Sequence, residues 1–127
     1  MLSINVDNRG KLVSMNDLIE SVPFTIKRFM DISNVPNGQT RGYHAHRTNK
    51  QFLLCFSGRV VVRTVSKDEH GGLVDESHEL NEGDFLYMPE MTWGEQTYYD
   101  DAVLHVLCSN KYDEEDYVRD YEEFKQN

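Results

Sequence analysis

Residues 38–58 read Gly38-Gln39-Thr40-Arg41-Gly42-Tyr43-His44-Ala45-His46-Arg47-Thr48-Asn49-Lys50-Gln51-Phe52-Leu53-Leu54-Cys55-Phe56-Ser57-Gly58. Two strands are legible here. Residues 42–46 form the first, the polar corner Thr48-Asn49-Lys50 turns the chain, and residues 51–56 form the second, ending at Ser57-Gly58. Histidines at i and i+2 of a strand point to one face, about 7 Å apart along it. His44 and His46 are therefore expected side by side on the first strand.

The same period-2 signal extends in both directions. Upstream, residues 24–30 read as a strand, followed by a turn over 34–38 that contains Pro36 and Asn37-Gly38. Downstream, strands are expected over 59–65, 73–80, 85–89, 93–97 and 102–108. The charged loop 67–72 and the turn 81–84 separate them, and the loop reads as a surface insertion. Only residues 16–21 and 113–125 look helical, the latter because its early acids suit a helix N-terminus. Many short strands with one terminal helix predict an all-β sandwich or barrel of jelly-roll type.

At 127 residues the chain is expected to fold as one domain spanning 1–127, with its 14 aromatic residues supplying a core. No stretch approaches the ~20 apolar residues of a membrane span, and Met1-Leu2-Ser3-Ile4-Asn5-Val6-Asp7 has no secretory pattern, so a cytoplasmic protein is expected. Cys55 and Cys108 lie in apolar runs and read as reduced, buried thiols. The net charge is −9; residues 112–127 hold seven acids against Arg119 and Lys125, and the body carries the rest. This balance argues against a nucleic-acid partner. An anionic ligand would have to be recruited locally by arginines.

The spacing of residues 38–58 resembles the first cupin motif, G-x5-H-x-H-x3-4-E-x6-G, with Gln51 in place of the glutamate. A counterpart of the second motif, G-x5-P-x-G-x2-H, runs from Gly83 through Pro89, with Met91 for the glycine and Gly94 for the histidine. In a metal cupin the two histidines would join that glutamate and that histidine as four ligands. An amide is a weak ligand and glycine offers none, so no metal or other cofactor is expected. Imidazoles without an ion can take and give protons near neutral pH.

At this point the resemblance narrows to the sugar 3,4-ketoisomerase family, the WxcM-like group. Its marks are Asp7-Asn8-Arg9-Gly10-Lys11-Leu12, Pro23-Phe24-Thr25-Ile26-Lys27-Arg28, Arg41-Gly42-Tyr43-His44-Ala45-His46-Arg47 with Gln51, Trp93-Gly94-Glu95, and Tyr112-Asp113-Glu114-Glu115-Asp116-Tyr117-Val118-Arg119-Asp120-Tyr121, in the family's order along nearly the whole chain. The resemblance implies a jelly-roll homodimer, often with exchanged N-terminal strands. It also implies an isomerase acting on a dTDP-linked sugar such as dTDP-4-keto-6-deoxyglucose, giving the 3-keto isomer for aminodeoxysugars of surface polysaccharides.

On that chemistry, His44 is expected to take the C3 proton and His46 to serve as a second acid/base or an orienting group. Arg41 and the Gln51 amide are candidate donors to the developing oxyanion. Arg9, Arg28, Arg41 and Arg59 are candidates for the diphosphate, with Arg9 and Arg41 favoured because they sit in matched motifs. Trp93 reads either as a surface for the base or sugar or as a core aromatic. The family usually carries a tyrosine two or three residues after Ile-Lys-Arg, where this chain reads Arg28-Phe29-Met30-Asp31-Ile32; Tyr43, Tyr87 and His105 are possible substitutes. His105 also reads as a core histidine hydrogen-bonded to a neighbour, and His70 and His78 as surface residues. Two competing functions stay open: 3,5-epimerisation of the same substrate class, and a non-catalytic nucleotide-sugar-binding cupin.

Overall fold

The computed structural model describes residues 2–127. Strands β1 (Leu2–Asp7) and β2 (Gly10–Met15) pair antiparallel as a hairpin that forms a sheet of its own. A single helical turn, α1 (Leu18–Ser21), follows. The main sheet comprises β3 (Arg28–Ile32), β4 (Thr40–His46), β5 (Gln51–Lys67), β6 (Leu73–Leu80), β7 (Phe85–Met88), β8 (Trp93–Cys108) and β9 (Tyr117–Val118), and α2 (Tyr121–Gln126) ends the chain. The hairpin lay outside the sequence expectation, although Leu2, Ile4 and Val6 alternate ahead of Asn8-Arg9-Gly10.

Strands β5 and β8 organise the rest. They run antiparallel from Gln51↔Cys108 to Val65↔Trp93, so the sequence's two pairs of short strands are two long ones. Both bend in the middle. In β5 the register shifts around Ser57, and Gly58 has φ +73°. In β8, Asp100 and Asp101 have φ of 60° and 53°. Beyond the bend the ribbon has new neighbours: β7 and β3 flank one half, β6 and β4 the other. The halves close on each other, because Leu53 and Cys55 from one share a buried cluster with Val60, Val62 and Tyr98 from the other. This is the jelly-roll of the sequence expectation. Both cysteines are free and buried.

The C-terminal segment departs from the expected helix over 113–125. A 3-10 turn (Glu114–Asp116) is followed by β9, and only α2 is α-helical. Three aspartates break up the run. Asp113 accepts the Glu115 amide at the start of the turn, Asp120 accepts the Glu122 amide at the start of α2, and Asp116 turns inward to accept the Thr48 and Asn49 amides. The last contact returns the chain to β4, where Ala45↔Val118 and His46↔Tyr117 pair. Helix α2 then buries Phe124 against Ala45, Val65, Trp93 and Val118. The loop over residues 67–72 is an exposed connection, as expected, and His70 is exposed with it; His78 is half-buried against the Thr64 hydroxyl instead, at 3.0 Å.

Candidate active site

Strand β4 is irregular where it meets β8. The register shifts between Gly42 and His44, and Gly42 and Tyr43 both have positive φ, +106° and +57°. Only glycine fits at 42: a Cβ there would lie 2.7 Å from the Gly94 carbonyl oxygen. This bulge puts Arg41, Gly42 and His44 on one cavity wall, where strict alternation would put Gly42 and His44 on one side and Arg41 on the other.

The cavity has a volume of about 420 Å³, in the range that takes a small ligand. His44 lines it beside Gln51 of β5 and Gln96 of β8, with Met30, Ile32 and Val106 as apolar wall. Three guanidiniums, Arg28, Arg41 and Arg119, stand around it. Arg28 lies over the Tyr112 ring (5.1 Å); Arg119 lies over the Tyr117 ring (4.2 Å) and forks onto Glu114 (2.8 and 2.9 Å). That fork, with the Tyr112 hydroxyl, brings the Glu114 carboxyl down to about 2.

His44 Nδ1 lies 3.0 Å from the Gly42 carbonyl oxygen. A carbonyl only accepts, so Nδ1 carries the hydrogen and Nε2 keeps the lone pair. Burial pulls the His44 imidazole below its ordinary value and Arg119 adds to this, while the Gly42 carbonyl and Glu114 oppose. His46 does not line the cavity. It is 5 % exposed and packs behind His44, ring centroids 5.0 Å apart at 82°. Burial, with the neighbouring His44, lowers the His46 imidazole to about 4 against the opposing pull of Asp116.

Several expected ligand residues lie elsewhere. Arg9 sits at the hairpin tip, its side chain 87 % exposed and folded back on Asp7 at 2.7 Å. Arg59 lies over the Tyr99 ring at 4.3 Å, between Glu79 and Asp100. Trp93 is 3 % exposed; α2 needs an apolar floor, and the indole packs on Tyr121 and Phe124 while its Nε1 donates to Glu95 at 2.8 Å. Tyr43 points out from the bulge and is 51 % exposed. The proposed stand-ins for the missing tyrosine also lie away from the cavity. Tyr87 packs on Phe24, and His105 sits on the outer sheet face rather than in the core, bonded to Asp31 at 2.9 Å. Tyr117 and Arg119 line the cavity without having been singled out as ligands; the alternation of Tyr117-Val118-Arg119 inside an acidic tail was the available signal.

A cupin metal does not fit these residues. The Gln51 amide contacts the Cys108 sulfur at 3.9 Å, and Gly94 faces His44 across the strand pair with the Met88 methyl beside it, 2.6 Å from where a Cβ would stand. Among the described residues no three His, Cys, Asp or Glu side chains gather to hold an ion. No helix among the described residues is long and apolar enough to cross a membrane.

The family model described as FdtA: WxcM-like, C-terminal, matches residues 1–127. A TDP-4-oxo-6-deoxy-alpha-D-glucose-3,4-oxoisomerase from Aneurinibacillus thermoaerophilus is 34% identical over 123 residues, covering 94% of this chain and 84% of that protein. A 3,4-ketoisomerase from Helicobacter canadensis superimposes with a TM-score of 0.78 at 33% identity, over 98% of this chain and 91% of that one. A histidine-to-asparagine variant of the 3,4-ketoisomerase QdtA from Thermoanaerobacterium thermosaccharolyticum, in complex with TDP-4-keto-6-deoxyglucose, gives the same TM-score of 0.78 at 33% identity, over 98% and 88%.

Proposed function

Because the chain belongs to the FdtA, WxcM-like family, we propose that it is a 3,4-ketoisomerase of dTDP-4-keto-6-deoxyglucose in which His44 is the proton-transferring base. The reaction moves a ketone from C4 to C3. The C3 proton, acidified by the adjacent carbonyl, passes to His44 Nε2, and the C3–H electrons form an enediolate. Proton return to C4 and transfer of the hydroxyl proton from O3 to O4 complete the isomer, with no net gain or loss of atoms or electrons. The observation that carries this reading is the His44–Gly42 hydrogen bond, which leaves a basic nitrogen on a residue of the cavity wall.

The other assignments follow from charge and position. Arg41 and the Gln51 and Gln96 amides are donors for the enediolate oxygen, and Arg28, Arg41 and Arg119 are cations for the diphosphate. Burial of the site makes such donors worth more than in water. The proposal includes a homodimer: Ile4, Val6 and Leu12 of the separate hairpin and Phe29 of β3 present exposed apolar surface. It includes a cytoplasmic place in the making of surface-polysaccharide sugars.

The test is incubation of the protein with dTDP-4-keto-6-deoxyglucose in deuterium oxide, followed by proton NMR. The expected result is the 3-keto isomer with loss of the C3 proton signal. Exchange at C5 would support a 3,5-epimerase, and binding without product a non-catalytic module; either result overturns the proposal.

A further inference from the structure

We propose that Asp116 and His46 form a positioning pair behind His44, in which the Asp116 carboxylate fixes the tautomer of His46 and the His46 ring holds the His44 imidazole in its plane. The inference rests on the reading of His44 as the base.

His46 is 5 % exposed, yet neither ring nitrogen has a hydrogen-bond partner. A buried polar ring left in that state requires an explanation. A carboxylate is nearby: Asp116 Oδ2 lies 3.5 Å from His46 Nδ1, too long for a good hydrogen bond but within reach of the charge. Asp116 is itself locked. Its Oδ1 accepts from the Thr48 amide (2.9 Å) and hydroxyl (2.8 Å), and its Oδ2 accepts from the Asn49 amide (3.0 Å). Burial pushes this carboxyl up, but the Thr48 and Asn49 donors outweigh it and hold the group below the ordinary aspartate value. An ionised carboxylate only accepts. The nitrogen facing it must therefore carry the hydrogen of the neutral imidazole.

The ring so fixed is packed on both sides of the problem. His46 meets His44 edge to face, and Tyr117 covers both, its ring centroid 4.4 Å from His46 and 5.0 Å from His44. His44 cannot turn without displacing one of them. The charged groups facing the pair are Asp116 and Arg28 on His46, and Arg119 and Glu114 on His44. A charged His46 would sit 5.0 Å from the imidazolium that forms when His44 takes a proton. Keeping His46 neutral avoids that repulsion. This arrangement makes His46 a positioning residue rather than a group that touches substrate.

The first test needs no variant. Long-range proton–nitrogen NMR of the intact protein reads the His46 tautomer directly. A neutral Nδ1–H ring at pH 7 is expected; an Nε2–H ring or an imidazolium overturns the pair. The second test is Asp116→Asn. We expect kcat to fall about tenfold with KM within about twofold, and the acid limb of the rate profile to move to lower pH as the negative charge beside His46, the ring packed on His44, is removed. A folded variant with kcat, KM and profile all within twofold of the parent overturns the pair. If the variant does not fold, the tautomer measurement decides alone. A parent protein that fails to isomerise the sugar but shows the Nδ1–H ring sinks the functional proposal and spares the pair. Turnover with an Nε2–H ring does the reverse.

Discussion

His44 Nδ1 donates to the carbonyl oxygen of Gly42, two residues back on the same strand, at 3.0 Å. That bond exists because the β4 bulge folds the backbone at Gly42 and Tyr43 through positive φ. It makes Nε2 the only basic atom of the ring. Replacing His44 by Asn removes the base while keeping a polar side chain of similar size, so kcat should fall by about 10²–10⁴-fold. Thermal unfolding should change little. Product formation followed by NMR provides the check, and a loss of less than tenfold would take His44 out of the mechanism.

The acid limb of kcat/KM should lie below the pH of an ordinary histidine. Burial lowers the His44 imidazole, and Arg119 lowers it further. A base with a lowered pKa stays deprotonated, and active, to lower pH. Removing the cation in Arg119→Gln leaves Glu114 unopposed, so the limb should shift to higher pH, with a raised KM if Arg119 also binds the diphosphate. A limb that stays put or moves to lower pH in the variant would contradict this.

How much of this was legible before the fold was known differs from residue to residue. The spacing from Gly38 to Gly58 pointed to His44 and Gln51, and the Pro23–Arg28 match to Arg28, although the strand expected over 24–30 begins only at Arg28 and runs to Ile32. The bulge was not legible, because a register shift belongs to the pairing of β4 with β8 rather than to either strand alone. The tail misled for a related reason. Its acids mimic a helix start, but Asp116 spends its carboxylate on Thr48 and Asn49, a contact across 67–68 residues. That one contact delivers Tyr117 and Arg119 to the site. Trp93 and Arg59 lie away from the cavity because both sit on long strands whose neighbours, α2 and Tyr99, could not be read from local pattern.

Gly58 should be the least replaceable glycine for stability. With φ +73° it closes the β5 bend, and a Cβ would lie 2.5 Å from the Ala102 Cα and 2.8 Å from the Asp100 carbonyl oxygen, both backbone atoms. Gly38 also has positive φ, at +84°, but faces open space. Gly58→Ala should cost roughly 2–4 kcal/mol from strain and overpacking, and Gly38→Ala about 1 kcal/mol. The unfolding midpoint should drop by roughly 10 °C in the first and a few degrees in the second. Equal shifts in the two variants would show that the close approach at Ala102 does not matter.

Stability should fall between pH 6.5 and 4 because of His46. Its folded-state value is about 4, against about 6.5 in an unfolded chain. Protons therefore bind the unfolded state more readily in that window. The contribution is fully present above pH 6.5 and lost as pH drops toward 4, on the order of 3 kcal/mol in all. His44, also lowered by burial, adds in the same direction. The carboxylates that bonding holds down, Asp116 and Glu114, lose their share only at lower pH, so the upper part of the curve belongs to the imidazoles. Urea unfolding of the parent and of His46→Gln at pH 7.5 and 5 separates the terms: the parent should lose stability between these points and the variant distinctly less. A parent with the same stability at both would mean that His46 accepts a proton inside the fold without penalty.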